Sequence, residues 1–363
     1  MKLVIEGLGF TFGKAYGYQE YLFNLLDYFY EHRSNIMYDS IIIVCDSCEV
    51  GHFEKYSDKF EIVGFDFDSY LGRFVAASSI SSRLSLSEND LILFPGNFSS
   101  LKKHCKQIVV VHDLLYLRKA YFAKTFYNFL FRLQRYIYIP RSLELANSIV
   151  SISEFTKQDI LTHFKTKAEK INVIYNYFDF DKYKNGDDTF SLDYPYYLSI
   201  CSSAYHKNTI TLLKAFNESS SKTNNHLVII GSIDNRSNKY YNQLVPEIKN
   251  RVHFMKRISN HLLAELYINA TAYISASLFE GLGMPVVEAM YFNIPVLLSD
   301  IPPHREVSLN CGYYFEPSSY RKLAEFMSHP KDLIVNKDVR ERIIEQYSGS
   351  NTSNKYIDLI NAM

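Results

Sequence analysis

Two glutamates, Glu280 and Glu288, stand eight residues apart in the stretch Y-I-S-A-S-L-F-E-G-L-G-M-P-V-V-E-A-M-Y-F-N-I-P-V-L-L-S-D, residues 273–300. Ionised carboxylates accept hydrogen bonds and donate none, so a pair of them can hold sugar or ribose hydroxyls with little call for proton transfer. Between them lies the turn Gly281-Leu282-Gly283. Its glycines let backbone amides approach a ligand closely, and the helix N-terminus that follows favours an anion. A phosphate on that helix end, flanked by the two carboxylates, would complete a nucleotide-sugar site. The same spacing also fits a surface turn carrying two solvated glutamates.

The elements that must position these groups follow from the flanking residues. Ala272–Ser275 is an apolar run suited to a buried strand, and residues 277–283 form a loop. Pro285 is tolerated in a first helical turn, so 286–291 reads as helix and 295–298 as the next strand. This is a βαβ unit with its loop at the carboxyl end of a parallel sheet, where open α/β sheets bind ligands. The N-terminal half repeats the pattern. Strands are expected at 3–5, 41–44, 91–94, 108–111, 148–152 and 171–175, with a helix from about 18 to 32 whose apolar face is Leu22, Leu25, Leu26 and Phe29. A polar stretch, 179–194, then precedes strands at 196–200, 227–230 and 252–255 and an amphipathic helix over 262–270.

The chain has 363 residues, enough for two domains, and a formal net charge of zero, so no bulk attraction to nucleic acid is implied. Five scattered cysteines fit a reducing cytoplasm better than a disulfide framework. Residues Met1-Lys2 run straight into a strand with no signal-peptide pattern, and no apolar run approaches 18 residues, so a soluble or peripheral protein is expected.

Several other motifs carry less. Gly7-x-Gly9-x-x-x-Gly13 imitates a dinucleotide fingerprint, but the helix starts well after Gly13 and Asp46 is too distant for the usual ribose contact. An NAD-dependent oxidoreductase is kept only as an alternative. Cys45-x-x-Cys48 lacks the second pair that a zinc site wants and reads as packing. His112-Asp113 ends a strand, where an imidazole could face a cleft or cap a turn. Ser153 is suited to an N-cap, with Glu154 opening the helix. From Lys119 to Arg141 the chain holds five basic residues, no acid and many aromatics. That segment fits docking on an anionic inner-membrane surface, and equally an ordinary helix with a solvated basic face.

The block F-E-G-L-G-M-P-V-V-E-A-M, followed in register by N-I-P-V-L-L-S-D and P-H-R-E-V, resembles the C-terminal signature of glycosyltransferase family 4. The closest likeness is to the bacterial branch that builds surface polysaccharides such as O-antigen and capsule. The resemblance implies an α/β GT-B fold: two Rossmann-like domains facing each other across a cleft. It implies an acceptor-side domain over 1–178, a linker over 179–194, a donor domain over 195–345 and a segment, 346–363, that crosses back. It implies a retaining, metal-independent hexose transfer from a nucleotide-diphosphate sugar co-substrate, GDP-mannose-like or a UDP-sugar, with no other cofactor. The acceptor would be a glycan or a polyprenyl-diphosphate-linked oligosaccharide, and the enzyme would be cytoplasmic or peripheral on the cytoplasmic face.

Residue by residue, the resemblance makes Glu280, His112 and Lys207 catalytic. Glu280 would hold sugar hydroxyls, His112 would contact the donor sugar near its 6-position, and Lys207 would pair with the diphosphate. Glu288 would take the ribose, and Gly281, Leu282, Gly283, His206 and Arg257 would complete donor binding. Gly9, Gly17, Ser153 and Glu154 would lie near the acceptor. Arg305-Glu306 is expected to brace the loop below the donor. Asp66-x-Asp68 and Asp179-x-Asp181 spell the metal-binding triplet of the other transferase architecture, GT-A, without the rest of its pattern, so no metal is expected. One departure stands out: Cys201 replaces a glycine and the arginine common in the following loop is missing, which leaves a non-catalytic sugar-nucleotide-binding protein of the same fold as a further alternative.

Overall fold

Short β-branched and aliphatic runs dominate the strand core: Leu3, Val4, Ile5, Ile43, Val44, Ile108, Val109 and Val110 are all fully buried. Strands buried on both faces belong to parallel sheets covered by helices, and both sheets here are of that kind. The structure is a computed structural model that describes residues 1–8, 16–67, 70–121, 126–183, 191–256, 258–335 and 338–363. Gly9 and Arg257 lie outside the described residues, as do Asp68 and residues 184–190 of the expected linker.

Two compact units result. One comprises Met1–Leu117, Lys124–Asp179 and Gln346–Met363, and the other Arg118–Ala123 and Phe180–Glu345. The first contains strands β1 (Lys2–Glu6), β2 (Ser40–Asp46), β3 (Glu61–Phe65), β4 (Leu91–Phe94), β5 (Lys106–Val111), β6 (Ser148–Ser151) and β7 (Ile171–Val173). They pair in the order 3-2-1-4-5-6-7, every pair parallel. Helices α1 (Tyr16–Glu31), α2 (Tyr70–Arg83), α3 (Phe126–Leu145) and α4 (Glu154–His163) connect them. Leu22, Leu25, Leu26 and Phe29 form the buried face of α1, as the 3.6-residue spacing predicts.

The second unit contains β8 (Tyr196–Cys201), β9 (His226–Gly231), β10 (Val252–Met255), β11 (Ala272–Ser275), β12 (Val296–Ser299) and β13 (Tyr313–Phe315). Their order is 10-9-8-11-12-13, again all parallel. Its helices are α5 (Thr209–Ser219), α6 (Asn235–Gln243), α7 (Pro246–Lys249), α8 (Asn260–Ile268), α9 (Met284–Tyr291), α10 (Pro302–Val307), α11 (Tyr320–Ser328) and α12 (Val339–Tyr347), the last ending in the first unit. Both sheets thus have the doubly wound order, with a switch point between β1 and β4 and another between β8 and β11.

The C-terminal helix α13 (Ser353–Asn361) packs on α1 within the first unit. Tyr356 meets Tyr21 hydroxyl to hydroxyl, and the Tyr28 hydroxyl donates to Asn354 Oδ1 at 2.8 Å. At the other end of the polar stretch, residues 180–183 are drawn into the second unit. Phe180 and Tyr183 lie against Tyr291 and Phe292, with ring centroids 4.6 Å and 5.1 Å apart. Burial of two aromatic rings outweighs the polar composition around them. No helix among the described residues is long and apolar enough to cross a membrane.

Candidate active site

The carboxyl edge of the second sheet is assembled from the two loops that flank its switch point. After β8 the chain makes a tight turn over Tyr205–Lys207 and enters α5 through Asn208, which takes the left-handed conformation (φ 51°). Asn208 accepts that strain because its buried side-chain amide donates to the carbonyls of Ala276 and Pro317, both at 3.0 Å. Leu278 N donates to the His206 carbonyl at 2.7 Å, so the β8 loop is pinned to the loop after β11.

That pinning brings Lys207 Nζ to 2.7 Å from Glu280 Oε1. Ser277 Oγ donates to the same oxygen at 2.7 Å, and among the described residues both bonds fall on Oε1. Oε2 is thereby left to accept from a ligand hydroxyl. The Glu280 side chain is 14% exposed. Burial pushes its pKa up, but the adjacent Lys207 ammonium, through its charge and its hydrogen bond, outweighs that, and the carboxyl falls to about 2. Glu280 is therefore a permanent carboxylate at neutral pH and acts as an acceptor.

Gly283 sits at the N-cap of α9 with φ +101°, a conformation that favours glycine. Leu282 is buried and anchors the turn, while Gly281 stays half-buried above it. One turn into α9, Glu288 is buried and accepts from the Tyr267 hydroxyl at 2.8 Å. Lys182 Nζ stands 4.0 Å from its other oxygen. A buried carboxylate needs such compensation. Burial, followed by the neighbouring Glu288 charge, holds Tyr267 well above an ordinary phenol, so the proton stays on the tyrosine.

His304 is the residue that sequence reasoning passed over. It is fully buried beneath the glycine loop, its Cδ2 being 3.7 Å from where a Cβ on Gly283 would stand. Nδ1–H donates to the Ser299 carbonyl at 2.9 Å, and Nε2 accepts from Ser275 Oγ at 3.1 Å. Burial pulls its pKa down, so it is a neutral strut joining the ends of β11 and β12. The signal was the P-H-R-E-V block itself, read for its arginine and glutamate alone. Arg305 makes a forked pair with exposed Asp300, at 2.5 and 2.7 Å.

In the first unit, His112 follows β5. Its Nε2–H donates to the Pro95 carbonyl at 2.7 Å, which leaves Nδ1 as an acceptor. The Tyr21 ring meets it edge-on at 4.6 Å. Burial lowers its pKa against the opposing pull of Pro95 and Asp113, so the ring is neutral. Asp113 Oδ1 accepts from Leu115 N at 2.8 Å and braces the turn. Ser153 is fully buried, and its Oγ accepts from Thr156 N at 3.0 Å as the cap of α4. Glu154 is exposed in the first turn of α4, and Gly17 is exposed in the first turn of α1, with open space where a Cβ would be. Cys45 is a buried thiol whose pKa burial pushes up to about 12, in keeping with packing.

The basic, aromatic stretch divides. Arg118–Tyr121 lies in the second unit, where the Arg118 guanidinium covers the Phe279 ring at 5.3 Å and Tyr121 stacks on Tyr205 at 6.4 Å. Phe122 and Lys124 lie outside the described residues, and from Phe126 the stretch is α3, which exposes Phe129 (59%), Leu130, Leu133, Tyr136 and Ile137 (58%). Positions 129, 133 and 137 are four residues apart, with 130 and 136 flanking them, so the five lie along one face. Among the described residues no group of three or more His, Cys, Asp or Glu side chains is placed to hold a metal ion.

Two all-parallel Rossmann-type units in one chain define the GT-B class, and the comparisons agree. Anabaena HepE, solved in complex with UDP and glucose, matches with a TM-score of 0.73 at 15% identity, covering 100% of each chain; at that identity the likeness shows the fold. Residues 40–182 match the family model Glycosyltransferase Family 4, and residues 183–347 the model Glycosyl transferases group 1. The chain belongs to glycosyltransferase family 4. The O-antigen chain mannosyltransferase RfbU of Salmonella typhimurium is 29% identical over 216 residues, 58% of this chain and 57% of its own. The serotype-specific mannosyltransferase WbdA of Escherichia coli is 34% identical over 101 residues, 25% of this chain and 12% of its own. The chain thus spans little more than half the length of the first relative and a small part of the second.

Proposed function

We propose that this chain transfers a hexose, with retention and without a metal, from a nucleotide-diphosphate sugar to a glycan or polyprenyl-diphosphate-linked oligosaccharide in surface-polysaccharide synthesis. The observation that carries the reading is the Lys207–Glu280 pair at the β8/β11 switch point, with Glu288 buried about one turn into α9, the helix that follows the glycine loop. Lys207 and the amides of residues 281–283 stabilise charge growing on the departing diphosphate, which is electrostatic catalysis. Glu280, held as a carboxylate, orients the sugar's hydroxyls. Glu288 takes the ribose hydroxyls, and His112 accepts from a hydroxyl of the transferred hexose through Nδ1. As the bond from the anomeric carbon to the diphosphate breaks, a donor phosphate oxygen on the same face takes the acceptor's proton and the new glycosidic bond forms there.

A GDP-mannose-like donor is favoured because the curated relatives are named mannosyltransferases. A UDP-sugar remains the competing donor, since HepE carries UDP. The exposed apolar face of α3, with Arg132, Arg135 and Arg141 on the same helix, suits peripheral attachment to the cytoplasmic face of an anionic membrane, where a lipid-linked acceptor would be met. The test is donor hydrolysis and transfer by the purified chain across GDP-mannose, UDP-glucose and UDP-galactose, with and without EDTA. Turnover of one donor, undiminished by EDTA, is expected. No turnover of any donor, in the presence of membranes bearing polyprenyl-linked acceptor, refutes the proposal.

A further inference from the structure

The β9–α6 connection reaches the same edge of the sheet as Lys207, because β9 is the neighbour of β8. It leads into α6, whose second residue is Arg236; the guanidinium lies 4.2 Å over the ring of Tyr205, in the same tight turn as Lys207. Arg236 Nε and Nη2 are shielded from water and make no hydrogen bond among the described residues. The nearest carboxylate is Asp234, 3.8 Å from Nε. Asp234 is already occupied: its Oδ1 accepts from Arg236 N and Ser237 N at 2.8 and 3.0 Å, and its Oδ2 from Ser237 Oγ at 2.7 Å. The side chain as a whole is 38% exposed, so an anion can reach the guanidinium, and a small turn of it offers N–H groups that have no acceptor of their own.

Charge counting at the edge agrees. The Lys207 ammonium is shared with Glu280, so that pair together brings no net charge to a bound diphosphate. Residues 202–205, in the loop after β8, supply no cation at all. We infer that Arg236, held flat on Tyr205, is the second phosphate-binding cation of the donor site, supplied from α6 in place of an arginine in the β8 loop. The planar fork suits two oxygens of one phosphate, and the aromatic platform fixes its plane before the ligand arrives. Arg236 is a binding residue for the diphosphate and shares with Lys207 the charge of the leaving group. The inference rests on the donor reading given above.

The experiment is calorimetric titration of the full chain and its variants with GDP and with UDP. Arg236→Gln is expected to weaken whichever diphosphate the wild type binds by at least about 10-fold, and Arg236→Lys to recover part of the loss, as a point charge replaces a fork. Should Arg236→Gln fail to fold, Arg236→Met keeps an apolar stem on Tyr205 and gives the same comparison. Wild-type binding that either folded variant retains within about twofold overturns the inference and leaves the donor reading standing. A loss that Arg236→Lys does not relieve at all marks a packing role and also overturns it. Wild type that binds neither diphosphate removes the donor reading, and the inference with it.

Discussion

Glu280→Gln isolates the charge of the central pair. In the wild type Lys207 holds the carboxyl at about 2 against an ordinary 4.5, despite burial. That difference corresponds to roughly 3 kcal/mol of preference for the native state at pH 7, an upper figure. Because the folded value lies below the unfolded one, the stabilisation is present in full above about pH 4.5 and is lost as the pH falls toward 2. By pH 3.5 about 1.4 kcal/mol of it is gone. The glutamine cannot ionise and has nothing to lose over that window. Other depressed carboxyls, Asp90 and Asp300, titrate in both proteins and cancel in the comparison. Urea unfolding should therefore find Glu280→Gln less stable by about 2–3 kcal/mol at pH 7, the gap narrowing by about 1.4 kcal/mol at pH 3.5. Transfer should fall at least about 100-fold at pH 7, the scale of losing one positioning contact. A gap that is the same at both pH values would refute the argument that Lys207 dominates the environment of Glu280.

Two further outcomes follow from the packing. A Cβ at Gly231 would stand 2.1 Å from the Cys201 carbonyl oxygen, at φ +109°, so Gly231→Ala should cost about 2–4 kcal/mol in denaturant unfolding; a loss below 0.5 kcal/mol, roughly that of a neutral surface change, would show that the β8–β9 crossing relaxes. Replacing Phe129 and Ile137 together by serine removes two exposed apolar side chains from α3. Co-sedimentation with vesicles containing anionic lipid should drop at least about 10-fold while the thermal midpoint holds, and unchanged sedimentation would remove the membrane role of that face.

Much of the local structure was legible because apolar runs bounded by glycine, proline and polar residues leave few choices. Strands expected at 91–94, 252–255 and 272–275 stand at those residues. Expectation missed elements whose burial is partial or whose length is minimal. β3 is an edge strand with Glu61 and Gly64 exposed, and β13 is three aromatic residues long. Neither contains more than two consecutive aliphatic residues, and only pairing with a neighbouring strand defines it. The polar look of residues 180–183 likewise hid two aromatics that pack on the end of α9.

By itself the amino-acid sequence determined the βαβ unit around Glu280 and Glu288, the parallel-sheet class and the family likeness, since each depends on contacts within a few turns of chain. The tertiary structure alone decided strand order, and with it the switch point that sets Lys207 beside Glu280 across 73 residues of sequence. It also decided that His304 is a buried strut and that the Arg236 side chain rests on Tyr205. Such pairings carry no periodic signal, because they arise where two loops meet at a sheet edge and their partners are chosen by geometry that no single segment encodes.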